Sequence, residues 1–381
     1  AFTLAYKDDN KQSQLIIEDI ETVSNVIKSS EMIVNIIPTV IERKDIALFK
    51  IYHLSELNLS TVMPMLQNMG FDVVVEQIYV VKPLNKSEVW LHQFLLKVDE
   101  ENIKFLETAK HNIEAAFLAM WHGKCQNDPY NQLITKANLS YRQANLLRAF
   151  AEYLYQIKIG YSKEYIGQVF TKHFEVAQNL VAFFYAKFSN KYTIAERKEK
   201  TKQIENDLEK SLTYVSDNVE DLIIRRVIDL IKNILRTNYF IHDVSATPKS
   251  YISIKVNSED IIGMPLPRPY REIFVYSASF EGIHLRGGKV ARGGLRWSDR
   301  AEDYRTEVLD LMKTQIVKNS VIVPTGSKGG FILKNIVGLN REELQAKAVE
   351  CYRNFLSGLL DITDNIIDEK TKHPKNIVHY D

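Results

Sequence analysis

Glycine is scarce in this chain, and its distribution along the sequence is uneven. The 381 residues include 15 glycines, about 4% against a usual share of about 7%. Eight of the 15 fall in one segment: Gly282, Gly287, Gly288, Gly293, Gly294, Gly326, Gly329 and Gly330. Glycine permits backbone conformations and close approaches that a side chain forbids. We therefore expect long helices and packed strands elsewhere, and in this segment a backbone that can close on a ligand.

The overall composition is that of an ordinary globular protein, with 45% hydrophobic and 25% charged residues. The 49 Lys and Arg residues nearly balance the 48 Asp and Glu residues, so no global field favours nucleic acid or an anionic membrane. No apolar run approaches the roughly 18 residues of a membrane span. We expect no nucleic-acid partner and no membrane association.

The cysteines and the two ends of the sequence give two further expectations. Cys125 and Cys351 are the only cysteines, and their wide separation supports neither a disulfide framework nor a zinc site, so the expected location is the cytoplasm. The sequence begins at Ala1 without a methionine and stops at Asp381 without a terminal helix signal. We expect it to be part of a longer chain.

The first hundred residues alternate between strand and helix patterns. Residues 46–52, 71–75 and 89–98 are rich in β-branched and aromatic residues, which favours strands, and residues 60–69 between the first two favour a helix that ends before Gly70. The pattern predicts a small α+β module, which we assign to residues 1–100.

The middle of the chain has the periodicity of helices. From Asn102 to about Phe240 apolar residues recur at helical spacing, and Ser140 and Thr193 each begin a capping box. The segment from Thr193 onward allows either a coiled-coil arm or a core helix broken near Asp217, and we favour the break. Residues 101–245 are therefore predicted to form a helical region.

The remaining residues, 246–381, favour an α/β sheet. Four short strands are predicted between residues 273 and 297, then a helix at 304–319, a buried strand at 320–324, a tight loop at 326–330 and a helix at 341–355. Ligands of such sheets gather at strand ends. The whole chain is thus predicted to combine α+β and α/β domains.

Two cations of the glycine-rich segment precede paired glycines. Arg292 is followed by Gly293 and Gly294, and Lys328 by Gly329 and Gly330. At such positions the backbone can approach a ligand closely and offer its N–H groups. A solvated charged face would have the same composition, but the pairing favours an anion site.

The predicted helix at 304–319 carries polar residues in line with its apolar stripe. Its stripe of Tyr304, Val308 and Leu311 continues at helical spacing into Gln315 and Lys318. Polar groups on a core stripe are costly unless they meet water, a partner or a ligand. Lys318 could equally be a cation that complements the end of the helix dipole.

Several common catalytic motifs are absent from the sequence. Lys328 stands between Ser327 and Gly329 rather than before Ser or Thr, which does not fit a P-loop. The sequence has no G-x-G-x-x-G, H-E-x-x-H or G-x-S-x-G. These absences argue against the usual dinucleotide fingerprint, a metalloprotease and a serine hydrolase.

Three phrases of the glycine-rich segment resemble the glutamate dehydrogenases, in particular their large NAD-specific bacterial type. They are R-G-G-L-R-W-S-D-R at 292–300, Q-I-V-K-N at 315–319 and P-T-G-S-K-G-G-F at 324–331. The module at 46–98 resembles an ACT-like regulatory module of that family, and F-L-A-M-W-H-G at 117–123 and L-S-Y-R at 139–142 resemble its helical phrases. The resemblance covers most of the chain.

The resemblance implies roles for individual residues. Lys328 corresponds to the catalytic lysine, Arg292 to a lysine that binds the side-chain carboxylate of the substrate, and Gln315 and Lys318 to residues that hold the α-carboxylate. Gly293 and Gly329, next to the two cations, would also border the substrate. An Arg at 292 keeps the charge and adds a planar fork that can bind a carboxylate with two hydrogen bonds.

The family also implies an activity, a cofactor and partners. The activity is the NAD-dependent oxidation of L-glutamate to 2-oxoglutarate and ammonia in amino-acid catabolism, by a cytoplasmic homo-oligomer with a possible amino-acid effector. By the family's order, the catalytic Asp and the domain that binds most of the NAD lie beyond residue 381. Residues 246–381 would then begin the α/β substrate domain. The alternative is a non-catalytic amino-acid-binding regulatory or assembly module.

Overall fold

The structure is a computed structural model that describes residues 9–38, 45–98, 100–243, 245–319 and 325–381. The chain divides into two units, Ala1–Ala144 and Asn145–Asp381. Among the described residues, no helix combines the length and apolar character needed to cross a membrane.

The first unit is built around an antiparallel sheet. Its elements are α1 (Asp9–Ser29), β1 (Ile33–Ile37), β2 (Ile46–His53), α2 (Leu59–Asn68), β3 (Asp72–Val81), β4 (Val89–Lys97), α3 (Glu100–Trp121), a 3₁₀ turn (Pro129–Asn131) and α4 (Gln132–Ala137). The strand order is β1-β2-β4-β3, and every neighbouring pair is antiparallel. The predicted strand–helix–strand–strand pattern is confirmed, and β1 and α1 are additions that the sequence analysis did not predict.

The alternation of side chains along β2 explains how helices cover both faces of this sheet. Phe49 belongs to the core that α2 and α3 form, and its ring lies 5.0 Å from that of Phe117. Lys50 points to the other face, where its ammonium lies 2.7 Å from the carboxylate of Asp19 on α1. The turn after α2 contains Gly70 with a φ of +86°, as predicted for the residue that ends a helix.

The second unit places helices before and around a larger mixed sheet. It contains most of α5 (Tyr141–Gln156), then α6 (Lys163–Lys172), α7 (Phe174–Phe188), α8 (Ile194–Leu212), α9 (Asn218–Asn233), β5 (Ile234–Thr237), β6 (Tyr251–Val256), β7 (Arg271–Ser277), β8 (Phe280–Arg286), β9 (Ala291–Arg292), β10 (Leu295–Trp297), α10 (Tyr304–Asn319), β11 (Thr325–Leu333), α11 (Arg341–Asp361), β12 (Asn365–Ile367) and β13 (Lys370–Lys372). The sheet order is β10-β11-β8-β7-β6-β5, with β9 also pairing with β11.

The helix boundaries follow the capping residues seen in the sequence. Thr193 and Glu196 form the predicted capping box at the start of α8. The side chain of Asp217 accepts hydrogen bonds from Val219 and Glu220 and so begins a separate helix, α9. The predicted break near Asp217 is therefore confirmed.

One prediction about the glycine-rich segment is wrong: residues 326–330 form part of strand β11 rather than a tight loop. Residues 327–333 of β11 pair antiparallel with residues 280–286 of β8. The glycines serve close packing, because a Cβ on Gly329 would lie 2.1 Å from Leu295 Cδ2 and a Cβ on Gly330 would lie 2.5 Å from Val308 Cγ2. The buried strand predicted at 320–324 lies outside the described residues.

Helices α10 and α11 cover opposite faces of this sheet. Gly330 faces Val308 of α10, whereas the next residue, Phe331, packs its ring 6.0 Å from that of Phe355 on α11. Because side chains alternate along a strand, Lys328 lies on the same face as Gly330. The strand therefore presents Lys328 on the face that α10 covers.

Candidate active site

Two short strands run parallel to β11 in one continuous register. Arg292 of β9 lies beside Gly326, and Leu295 of β10 lies beside Gly329. The two positions between these pairs, Gly293 and Gly294, have no ladder partners of their own, and the register places them opposite Ser327 and Lys328. The double glycine after Arg292 thus faces the residue that resembles the catalytic lysine.

The paired glycines let the two segments meet without side chains between them. A Cβ on Gly293 would lie 1.5 Å from the carbonyl oxygen of Ser327, which leaves no space for any side chain there. A Cβ on Gly294 would lie 3.9 Å from Lys328 Nζ. The ammonium of Lys328 therefore sits over Gly294, two residues after Arg292.

Gln315 of α10 contacts both segments. Its amide nitrogen lies 2.6 Å from the carbonyl oxygen of Ser327 and 3.0 Å from that of Arg292, in the orientation that lets the nitrogen donate to both. The helix that carries Gln315 is fixed to the same segment at an earlier turn. Glu307 accepts from the Arg296 guanidinium at 2.9 Å and from Ser298 Oγ at 2.5 Å.

On the other side of β11, His284 of β8 lies directly opposite Gly329. Its Cδ2 atom is 3.2 Å from the position of a Cβ on Gly329, so the ring packs across this glycine. Burial, together with the charge of Arg286, lowers the pKa of His284 from 6.5 to about 4. The ring is therefore neutral near pH 7.

The structure brings most of the predicted site residues to one place. Arg292, Gly293, Gln315, Lys328 and Gly329 all belong to the junction of β9, β10, β11 and α10. Arg292 is exposed and Lys328 is half-buried. The Gly329 N–H donates to the carbonyl oxygen of Gly294 at 3.0 Å and is thus paired within the protein.

The remaining predicted residue, Lys318, lies in the last turn of α10, and its side chain is outside the described residues. The sequence analysis did not single out Ser327, His284 or Glu307. Ser327 lies within the phrase at 324–331, but its contact with Gly293, like that of His284 with Gly329, follows only from the strand register.

The arrangement can bind an anion next to a proton donor. A guanidinium binds a carboxylate with two hydrogen bonds, and an ammonium can donate to a carbonyl oxygen that gains negative charge. Arg292 and Lys328 offer these two groups from neighbouring segments. In the part of the chain that the structure describes, no cluster of three His, Cys, Asp or Glu side chains could hold a metal ion.

Family models identify the class of protein to which this fold and site belong. Three of them match successive segments: an ACT3 domain of glutamate dehydrogenase at residues 32–110, its helical motif 3 at 125–190, and the catalytic domain of bacterial NAD-glutamate dehydrogenase at 207–381. The chain belongs to the family of bacterial NAD-specific glutamate dehydrogenases.

Individual relatives match most of the chain. NAD-specific glutamate dehydrogenases of Pseudomonas aeruginosa, Mycobacterium tuberculosis and Halomonas elongata are 44%, 39% and 37% identical over 87%, 81% and 100% of it. The aligned parts make up 21%, 20% and 24% of those relatives. The chain thus spans between a fifth and a quarter of the length of these proteins.

Proposed function

We propose that this chain carries the substrate-binding and catalytic-lysine segment of an enzyme that oxidises L-glutamate to 2-oxoglutarate and ammonia with NAD. The observation that supports it most is the position of Lys328 over Gly294, two residues after Arg292. The reaction and the cofactor are supported by the relatives, which are NAD-specific glutamate dehydrogenases.

The substrate is a dicarboxylate, so its site needs separated cationic anchors. We assign the side-chain carboxylate to the exposed guanidinium of Arg292 and the α-carboxylate to Lys318, whose side chain is outside the described residues. We assign Gly293 and Gly329 to the wall of the site, because each directly follows one of the two cations. Protein atoms fill the space where their side chains would lie, so they can contribute only backbone atoms to that wall.

Lys328 would act at the carbon that reacts. Its ammonium can donate a hydrogen bond to the carbonyl or carbinolamine oxygen, and Nζ can hold or release a proton as that oxygen changes charge. Strand β11 fixes its backbone between β8 and the Arg292 segment. This placement limits the motion of the side chain relative to the carboxylate anchors.

NAD supplies the hydride acceptor when it is bound, but the residues of this chain do not fit a dinucleotide site. The sequence lacks G-x-G-x-x-G, and the parallel pairs of the described sheet are only two and three residues long. We therefore assign no NAD contact to this chain and propose that other parts of the longer enzyme bind it.

The organisation and surroundings of the enzyme are also proposals. We assign residues 1–100 to a regulatory module that could bind an amino-acid effector, residues 101–245 to a helical region and residues 246–381 to the beginning of the substrate domain. The ACT3 match at residues 32–110 overlaps most of this module, which supports its assignment. We place the enzyme in the cytoplasm as a homo-oligomer.

Substitution of Lys328 in the full-length enzyme tests the proposed function. Lys328→Ala should lower kcat by about 10²–10⁴-fold with the fold intact, because the proton donor at the reacting carbon is lost. Lys289→Ala, which removes an exposed lysine of the same segment, is the control. A full-length Lys328→Ala enzyme that keeps its kcat would overturn the assignment. The 381-residue chain alone should show no turnover.

A further inference from the structure

The phrase R-G-G-L-R of the site contains two arginines with different surroundings. Among the residues that the structure describes, no acidic side chain pairs with the exposed guanidinium of Arg292. The guanidinium of Arg296, in contrast, has its Nη1 atom 2.9 Å from Oε1 of Glu307 on α10. Arg292 can therefore bind a substrate anion, whereas a carboxylate of the protein already balances the charge of Arg296.

Glu307 also binds the residue that follows strand β10. Its Oε2 atom accepts a hydrogen bond from Ser298 Oγ at 2.5 Å, and Ser298 is 2% exposed. The Ser298 N–H in turn donates to the carbonyl oxygen of Phe331 on β11 at 2.8 Å. One carboxylate therefore binds two residues of the same segment, and one of them is also bound to the strand that carries Lys328.

This link lies close to the double glycine of the site. Arg296 is paired with Gly330 of β11, and in the same register Gly294 lies opposite Lys328. The two positions are two residues apart, which is about 7 Å along a strand. Because side chains alternate along an extended segment, Arg296 faces the same side as Gly294. Glu307 therefore acts on the face of the sheet that presents Lys328.

The two bonds of Glu307 differ in strength. Arg296 is 46% exposed, so water and salt screen its ion pair, which contributes little. The bond from Ser298 is buried and has an ionised acceptor, which makes it the stronger of the two. The hydrogen bond between Glu307 and Ser298 is therefore the main link between α10 and this segment.

We propose that Glu307 is a positioning residue of the active site. By binding Ser298 and Arg296 it fixes the segment after the double glycine to α10. The segment in turn holds Arg292 at a constant distance from Lys328. Glu307 acts through these residues rather than on the substrate. The proposal rests on the proposed function and deepens it, because two cations that bind one dicarboxylate must keep a fixed separation.

Backbone protection tests the link without any measurement of activity. In the full-length enzyme, Glu307→Met keeps the approximate size of the side chain but removes both acceptors. Amide hydrogen exchange in a peptide covering residues 291–298 should become faster by about tenfold, while β6 and β7 keep their rates. Asp310→Asn, at an exposed acid of the same helix that pairs with Lys313, is the matched control and should change neither region.

Steady-state kinetics separates positioning from a merely structural role. Glu307→Met should lower kcat by about 10²-fold, because the reacting carbon is no longer held at Lys328. KM for glutamate should change by less than about threefold, because Arg292 can still follow the carboxylate in the ground state. Glu307→Gln keeps an acceptor for Ser298 and should recover most of kcat. A wild-type kcat in Glu307→Met, or a strong rise in KM alone, would overturn the proposal.

Ser298→Ala tests the same link from its other end and decides the question if Glu307→Met does not fold. It should lower kcat and accelerate exchange at 291–298 in the same direction as Glu307→Met. Arg296→Met should change kcat by less than about threefold, because it breaks only the exposed ion pair. Wild-type exchange and kcat in Ser298→Ala would show that the link does not position the segment.

The two readouts keep the positioning role separate from the proposed function. If the wild-type enzyme does not oxidise glutamate, the proposed function fails, yet faster exchange at 291–298 in Glu307→Met still supports the link. If wild-type turnover is present and Glu307→Met changes neither exchange nor kcat, the positioning role is wrong and the proposed function stands.

Discussion

Gly293 meets the carbonyl oxygen of Ser327 so closely that a Cβ would lie 1.5 Å from it. The next residue, Gly294, is different, because a Cβ there would have only Lys328 Nζ near it, at 3.9 Å. Both glycines are exposed, and neither has a positive φ. Neither position therefore needs glycine for its backbone conformation. Only Gly293 needs it for packing, because a side chain there would collide with Ser327.

Alanine at Gly293 should destabilise the chain, and alanine at Gly294 should not. Gly293→Ala forces two backbone segments apart, so the free energy of unfolding should fall by about 1–3 kcal/mol. Gly294→Ala should be neutral or stabilise by up to about 1 kcal/mol, because it reduces the entropy of the unfolded chain. Urea unfolding of both variants measures the difference. Equal effects of the two substitutions would contradict the close approach.

Lysine at position 292 should weaken glutamate binding while the fold around the site is kept. Arg292→Lys keeps the charge and the backbone carbonyl that Gln315 contacts, but it loses the planar fork. Loss of one charge-assisted hydrogen bond should raise KM for glutamate by about tenfold in the full-length enzyme, with kcat little changed. Arg300→Lys, which alters an exposed arginine paired with Asp303, should leave KM unchanged. An unchanged KM in Arg292→Lys would remove Arg292 from the carboxylate site.

Much of the fold could be predicted from the sequence, because helix ends are determined by capping residues that lie within a few positions of them. The capping residues Thr193 and Asp217 gave the starts of α8 and α9, and Gly70 gave the end of α2. Strand β1 was missed although its sequence, Ile-Val-Asn-Ile-Ile, has the buried alternation of a strand. Its partner is β2, so its place in the sheet depends on a pairing that local propensity does not encode.

The site was only partly predictable for the same reason. The clustered glycines and cations pointed to Arg292 and Lys328, but the glycines next to Lys328 were interpreted as a loop. Their role in a strand depends on Leu295 and Val308, which approach from a second strand and a helix. The contacts of Gln315 likewise depend on the register between segments distant in sequence.

A buried ion pair should fix the start of α10. Arg305 pairs with Glu272 of β7, and both side chains are almost fully buried. Arg305→Met would leave the buried carboxylate with a hydrogen bond from Tyr153 but without its cation, and should lower the free energy of unfolding by about 3–5 kcal/mol. Arg300→Met breaks an exposed ion pair nearby and should cost about 0–1 kcal/mol. Removing both partners, in Glu272→Leu with Arg305→Met, should restore part of the loss; urea unfolding tests all three variants.

A second buried acid, Glu281 of β8, makes the stability of the fold depend on pH near neutrality. Its carboxylate pairs with Lys334, and Glu152 lies 3.6 Å from the same ammonium. Burial raises the pKa of Glu281 from 4.5 to about 7, with Lys334 opposing the rise and Glu152 adding to it. The folded state therefore holds a proton on Glu281 at pH values where the unfolded chain has released it.

Glu281→Gln should flatten the dependence of stability on pH. A folded-state pKa above the unfolded value gives stability that is present below pH 4.5 and is lost as pH rises through 7. The loss attributable to Glu281 should approach about 3 kcal/mol at high pH. Urea unfolding from pH 5 to 8 should show a smaller decline in Glu281→Gln than in the wild type, whereas Asp299→Asn, at an exposed acid, should keep the wild-type slope. Parallel curves for Glu281→Gln and the wild type would show that Glu281 does not titrate in this range.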